Sequence, residues 1–341
     1  MHYSTLAGLG LMATTALAYP TIPRHSFRRD NSTSGAETVV YWGQNGGNAV
    51  ENNDLSTYCT ADSGIDILVL SFLYEFGNGV DTPSGTIGQS CSIDTSGKGS
   101  NCDDLAAAIK TCQGNGKKII LSLGGASGSY SLSSQQEAET IGQNLWDSYG
   151  NSGSSSAPRP FGSTFVNGFD FDLEANPAGT NTNYQYLIAK LRSNFASDSA
   201  NTYYITGAPQ CPIPEPNMQD VITTSQFDYL FVQFYNNQGC STNTGTNYAD
   251  WVKNVQNTPS ANAKIVIGVP ASELASNGAQ TGAVYYLAPS DLSTLVGKYK
   301  SDSAFGGVMM WDAGFSDDNT NSGCTYAQEV HSILTTGSPC S

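Results

Sequence analysis

Short apolar runs recur along this chain, most of them closing on glycine, proline, asparagine or aspartate. They fall at residues 39–42, 67–72, 118–123, 168–174, 203–208, 229–235, 264–269 and 308–311. Most are apolar at nearly every position, the pattern of strands buried on both faces. Between several of them the apolar residues recur with a helical period, at 103–112, 137–149, 183–195, 249–256 and 292–300. Eight strands alternating with helices predict an α/β fold, a single-domain (β/α)8 TIM barrel. An open doubly wound sheet is the alternative. The interval from Pro270 to Gly306 is too short for a helix and an additional α+β insertion domain, so none is expected. Residues 148–162, rich in Gly, Ser and Asn, read as a loop.

One run breaks the apolar rule. In Gly168-Phe169-Asp170-Phe171-Asp172-Leu173-Glu174 an acid stands at every second position. Alternate residues of a strand share a face, about 6–7 Å apart, so the three acids line one side and Phe169, Phe171 and Leu173 the other. Aligned like charges repel, and their pKa values are driven apart until one stays protonated near neutral pH. That is the requirement for a general acid. A solvated edge strand is the plainer reading, but the alternating Phe, Phe and Leu need a hydrophobic layer to pack on. In a barrel the site is built at the C-terminal ends of the strands, where Glu174 falls.

Composition narrows the chemistry. The net charge is −15 with few charged residues, which opposes nucleic acid and anionic membrane partners and suits a neutral polymer. Residues 1–18 read as a signal peptide, with an apolar core from Leu6 to Leu17 and a small-residue site at Ala16-Leu17-Ala18. Residues 19–37 read as a pro-segment or flexible N-terminus, with Arg28-Arg29 as a dibasic processing site and Asn31-Ser32-Thr33 as a glycosylation sequon. Residues 38–341 read as the catalytic barrel. Removing residues 1–29 leaves 11 basic residues against 29 acidic ones, a balance of −18.

The same removal leaves His331 as the sole histidine, in a helical pattern that suits packing. A Ser-His-acid triad or a multi-histidine metal site then has almost no material to work with. No cofactor or metal is expected. The Gly43 to Gly47 stretch lacks the G-K-[ST] of a phosphate loop. Cys59, Cys91, Cys102, Cys112, Cys211, Cys240, Cys324 and Cys340 contain no C-x-x-C pair, so disulfides in a secreted chain are expected, with the connectivity open.

Gly168-x-Asp170-x-Asp172-x-Glu174 resembles the signature of family 18 glycoside hydrolases, and Ser122-Leu123-Gly124-Gly125 resembles their strand-three motif. Tyr41-Trp42-Gly43-Gln44-Asn45-Gly46, Ala208-Pro209-Gln210-Cys211-Pro212, Gln233-Phe234-Tyr235-Asn236-Asn237 and Gly306-Gly307-Val308-Met309-Met310-Trp311 resemble class III, hevamine-type chitinases of plants and fungi. The likeness runs from about Thr38 to Leu334, one motif per strand.

The resemblance implies a secreted endochitinase that cuts β-1,4-N-acetylglucosamine linkages with retention through an oxazolinium intermediate, outside the two-carboxylate scheme. It implies Glu174 as general acid/base, Asp172 holding the acetamido N–H, Asp170 sharing a proton with Asp172, and Tyr235 steadying the acetamido oxygen. Tyr41, Phe72, Gly124, Gln210, Gln233 and Trp311 are the expected substrate-binding residues, Trp311 as floor of the cleaved sugar's subsite. For the ring residues the plainer alternative is capping of the barrel core, and for Gln210 and Gln233 it is tying strand ends together.

The resemblance also implies disulfides Cys59–Cys112, Cys91–Cys102 and Cys211–Cys240, leaving Cys324 and Cys340 to staple the C-terminal helix. Asn167 stands where the family pattern carries Asp, and is expected to add hydrogen bonds without charge to the network around Asp170. The expected partners are chitin and N-acetylglucosamine oligomers. The expected state is a monomer outside the cell, including at the cell wall, with an acidic pH optimum. A non-catalytic chitin-binding lectin or inhibitor, an endo-β-N-acetylglucosaminidase acting on N-glycans, and a structural wall protein are the competing readings.

Overall fold

The computed structural model describes residues 35–44, 51–175 and 181–341. The leader, the dibasic pair, the sequon and positions 45–47 of the glycine-rich stretch lie outside the described residues. All the predicted strands form: β1 Glu37–Trp42, β2 Ile67–Gly77, β3 Lys118–Gly125, β4 Gly168–Leu173, β5 Tyr204–Gly207, β6 Tyr229–Gln233, β7 Lys264–Pro270 and β8 Phe305–Trp311. Each pairs in parallel with the next, and β8 pairs with β1, so the sheet closes into a barrel rather than remaining open.

Helices α1 Asp103–Gly114, α2 Gln135–Tyr149, α3 Tyr184–Phe195, α4 Gln219–Thr224, α5 Tyr248–Val255, α6 Pro289–Tyr299, α7 Ala313–Asp318 and α8 Tyr326–Thr336 are the described α-helices. Local chemistry sets several of their starts. The Ser134 hydroxyl accepts the Glu137 N–H at the head of α2, Asp312 accepts the Phe315 N–H at the head of α7, and Thr325 and Gln328 form a reciprocal capping box on α8.

The apolar side chains divide into two layers. Val39, Ile67, Val69, Ile120, Phe231, Val266 and Met309 fill the barrel interior, together with Tyr41 and Phe72. Phe169, Phe171 and Leu173 belong to the larger layer between strands and helices, where Phe171 meets Tyr184 and Phe227 edge-on. The alternation of β4 is thereby resolved, with apolar side chains out under the helices and acids in. At the N-terminal end of the barrel, Lys118 Nζ pairs with Glu37 Oε1 at 3.0 Å.

The structure departs from the sequence pattern at β2. The apolar run suggests an end at Phe72, yet the strand continues to Gly77 and turns through Asn78-Gly79 into an antiparallel meander, Val80–Ile87, Cys91–Ile93 and Gly99–Ser100. The signal was present: Asn-Gly is a strong two-residue hairpin marker because both positions take positive φ, here 51° and 91°. Disulfides join Cys59 to Cys112, Cys91 to Cys102, Cys211 to Cys240 and Cys324 to Cys340. No described helix is long and apolar enough to cross a membrane.

Candidate active site

Strand register brings the partners of Asp170 to it. Asp170 stands level with Ser122 on β3 and with Thr206 on β5. Ser122 donates to Oδ2 at 2.7 Å and Thr206 to Oδ1 at 2.6 Å. Tyr41 reaches across the interior from β1 and donates to Oδ2 at 2.8 Å. Asp170 is fully buried, and burial raises its pKa, while the three hydroxyl donors favour the ionised form and pull back.

One step up the strand, Asp172 pairs in register with Gly124. Burial raises its pKa well above the ordinary carboxylate range, and the charges of Glu174 and Asp170 add to the rise. Its Oδ1 accepts Gln233 Nε2 at 3.2 Å. The same amide nitrogen donates to the Ala208 carbonyl at 3.0 Å and lies 3.4 Å from Glu174 Oε1. Asp172 and Glu174 share a hydrogen bond that raises the pKa of Asp172 and lowers that of Glu174. Burial nonetheless holds Glu174 above its ordinary value.

A cavity of about 140 Å³ opens above these acids, and Tyr41, Phe72, Asp172, Glu174, Gln233, Tyr235 and Trp311 are among its lining. Phe72 and Trp311 stack with centroids 6.0 Å apart and planes 15° apart. Trp311 is partly exposed. Tyr235 sits just past β6, buried beside the acids, and its phenol is pushed up by burial and by the charges of Glu174 and Asp172. A larger cavity of about 250 Å³ lies between residues 242–246 and α6, away from the acids.

Of the expected site residues, the fold brings Glu174, Asp172, Tyr235, Gln233, Tyr41, Phe72 and Trp311 to one cavity, with Asp170 beneath them. Gln210 and Gly124 do not line it. Gln210 Oε1 accepts Asn237 Nδ2 at 2.6 Å, tying the ends of β5 and β6 together. Gly124, at φ 112°, lets β3 approach β4: a Cβ there would fall 2.1 Å from the Asp172 carbonyl oxygen. Asn167 needs a correction too. Its Oδ1 accepts the Ile119 N–H at 2.9 Å and Gln113 Nε2 at 3.0 Å, so it seals the opposite end of β4 instead of joining the partners of Asp170.

Sequence reasoning missed three residues. Thr206 follows from strand register alone. Tyr130 accepts the Glu174 backbone N–H at 2.9 Å, and only tertiary pairing of its short strand with β2 brings it there. Glu215, in a proline-rich loop, is buried with its pKa pushed up to about 7 by burial, against backbone N–H bonds from Met218, Gln210 and Asn217. Its charge acts in turn on Asp172. Among the described residues, no group of three or more His, Cys, Asp or Glu is arranged to hold a metal ion.

A closed parallel barrel with stacked carboxylates at the C-terminal mouth of one strand places this cluster where barrel enzymes carry their active sites. The chain belongs to the glycosyl hydrolases family 18, whose pattern matches residues 37–285. It is 60% identical to Endochitinase 2 of Metarhizium robertsii, over 99% of this chain and 82% of that protein. The crystal structure of the ICChI chitinase from Ipomoea carnea superposes with a TM-score of 0.71 at 30% identity, covering 87% of this chain and 99% of that one. The xylanase and α-amylase inhibitor protein XAIP-II from Scadoxus multiflorus superposes at 0.66 with 28% identity, covering 86% of this chain and 96% of that one.

Proposed function

We propose that this protein is a secreted endochitinase that hydrolyses β-1,4-N-acetylglucosamine linkages with retention by substrate-assisted catalysis. The observation that carries this reading is the bonded Asp172–Glu174 pair, anchored by Gln233 and open to a cavity walled by Tyr235 and Trp311. The 60% identity to a fungal endochitinase supports the substrate class.

Glu174 gives its proton to the glycosidic oxygen as the bond to the anomeric carbon breaks. The substrate's own acetamido oxygen closes on that carbon to form an oxazolinium ion. Asp172 accepts the acetamido N–H and balances the positive charge, and Tyr235 donates to the acetamido oxygen. Water then attacks the anomeric carbon from the opposite face, Glu174 takes its proton, and the β configuration returns. Asp170, held by three hydroxyls, tunes the charge of Asp172. Trp311 and Phe72 form an apolar floor for a pyranose face. Residues 1–18 act as the leader and 19–37 as the segment before the mature barrel, which works as a monomer on chitin and its oligomers outside the cell. Four disulfides fit an oxidising compartment.

The test is hydrolysis of a fluorogenic chitotrioside by the wild type and Glu174→Gln, with products resolved by anomer. Initial β-anomer and a loss of about 10²–10⁴ in rate in the variant are expected. A second reading, a binding or inhibitory module, is favoured by one observation: a protein described as an inhibitor shares this scaffold. Tight oligomer binding without turnover by either form establishes that reading instead.

A further inference from the structure

Glu174 stands one residue beyond the last register pair of β4, Gly125 with Leu173, so the ladder between β3 and β4 does not extend to it. Its main chain is held by a side chain. The Glu174 N–H donates to Tyr130 Oη at 2.9 Å and the Ala175 N–H donates to the same oxygen at 3.2 Å. The phenol in turn donates its proton to the Gly125 carbonyl at 2.8 Å. Two bonds accepted and one donated exhaust what a phenol oxygen can do. The hydroxyl therefore bridges the end of β3 to the first two residues past β4.

The ring cannot drift. Tyr130 is 5% exposed, stacks on Phe76 at 5.5 Å with planes 14° apart, and pairs through its backbone with the extension of β2. A nearby tyrosine supplies the contrast. Tyr184 meets the same Phe76 edge-on at 6.3 Å and is fully buried, yet its hydroxyl has no hydrogen-bond partner among the described residues. Burial in this aromatic group does not by itself bring a hydroxyl to the Glu174 backbone.

We propose that Tyr130 is a positioning residue for hydrolysis: its hydroxyl holds the Glu174 main chain so that the carboxyl stays beside Asp172 and Gln233 over the cavity. This rests on Glu174 being the general acid. Replacing the hydroxyl leaves two N–H donors and one carbonyl to find water. The strand end then relaxes outward and carries the carboxyl from its buried site.

The experiment measures kcat, KM and the pH–rate profile on a fluorogenic chitotrioside for wild type, Tyr130→Phe, Tyr184→Phe and Glu174→Gln, with chitotriose binding followed by tryptophan fluorescence. Tyr130→Phe is expected to lower kcat about 10–100-fold, the scale of an ångström-level misplacement. KM should stay within about twofold, because ground-state binding is untouched. The alkaline limb should move to lower pH, since a more hydrated Glu174 loses its proton sooner. Tyr184→Phe should leave both unchanged. Wild-type kcat and alkaline limb in Tyr130→Phe overturn the proposal. So does loss of chitotriose binding by Tyr130→Phe, or the same kcat loss and limb shift in Tyr184→Phe, because a purely structural hydroxyl would produce them. If Glu174→Gln keeps wild-type turnover, the general-acid reading itself fails, whatever Tyr130→Phe does.

Discussion

The Tyr41 hydroxyl crosses the barrel interior to donate to Asp170 Oδ2 at 2.8 Å. The ring expected to stack on sugar is thus also committed, through its hydroxyl, to the deepest acid. Tyr41→Phe keeps the ring against Phe72 and Trp311 and removes one of three donors. A hydrogen bond to a buried carboxylate contributes about 1.5–3 kcal/mol, so the urea midpoint at neutral pH should fall accordingly. The rate should fall as well, because losing a donor that favours the ionised form raises the pKa of Asp170 further beside Asp172. An unchanged midpoint and rate would show that Ser122 and Thr206 suffice.

Stability should decrease from mildly acidic to mildly alkaline pH. Burial pushes Glu51 up to about 8, Glu215 to about 7 and Asp312 to about 6. Above the ordinary carboxylate range, near pH 4, the unfolded chain has released these protons while the folded chain still binds them. The folded state therefore loses about 1.4 kcal/mol per such group for each pH unit until that group's folded pKa is passed. Thermal midpoints from about pH 4 to about pH 8 should fall, and Glu215→Gln should flatten the curve up to about pH 7. A wild-type midpoint that rises over this range contradicts the burial argument.

Gly124→Ala should damage the site without touching a catalytic group. The new Cβ meets the Asp172 carbonyl, and the φ of 112° is strained for any side chain. Overpacking of this kind costs about 1–3 kcal/mol, and β4 must shift to relieve it. Both a lower urea midpoint and a lower kcat are expected, and a variant with wild-type kcat would place the acids' alignment outside the control of β3.

Trp311→Ala should act on binding. Its ring lies over Phe72 at the cavity floor and is partly exposed. Aromatic stacking of about 0.5–1.5 kcal/mol converts to about a two- to tenfold rise in KM for the trioside. An unchanged KM would mean that the ring caps the barrel and does not carry sugar.

Much of this was legible in advance. The strands read out as apolar runs because parallel strands covered on both faces need them. The acids at 170, 172 and 174 share a face because the side-chain period of a strand is two. The extension of β2 was misread because half-exposed residues such as Tyr74 and Glu75 break an apolar run without ending the strand. Gln210 and Asn167 were placed by motif, and motif proximity does not say which way an amide turns. Gln210 ties loops, and Asn167 closes the opposite end of its strand.

By itself the sequence determined the strand–helix alternation and the shared face of the three acids, since both follow from local periodicity. Only the tertiary structure decided which groups share protons and which hold the others still. Tyr41 and Asp170 are 129 positions apart, Gln233 and Asp172 are 61 apart, and Tyr130 and Glu174 are 44 apart. No local pattern encodes such pairings. They arise when closure of the sheet stacks distant strands in register and excludes water, so that each buried polar group must take the partner that geometry leaves it.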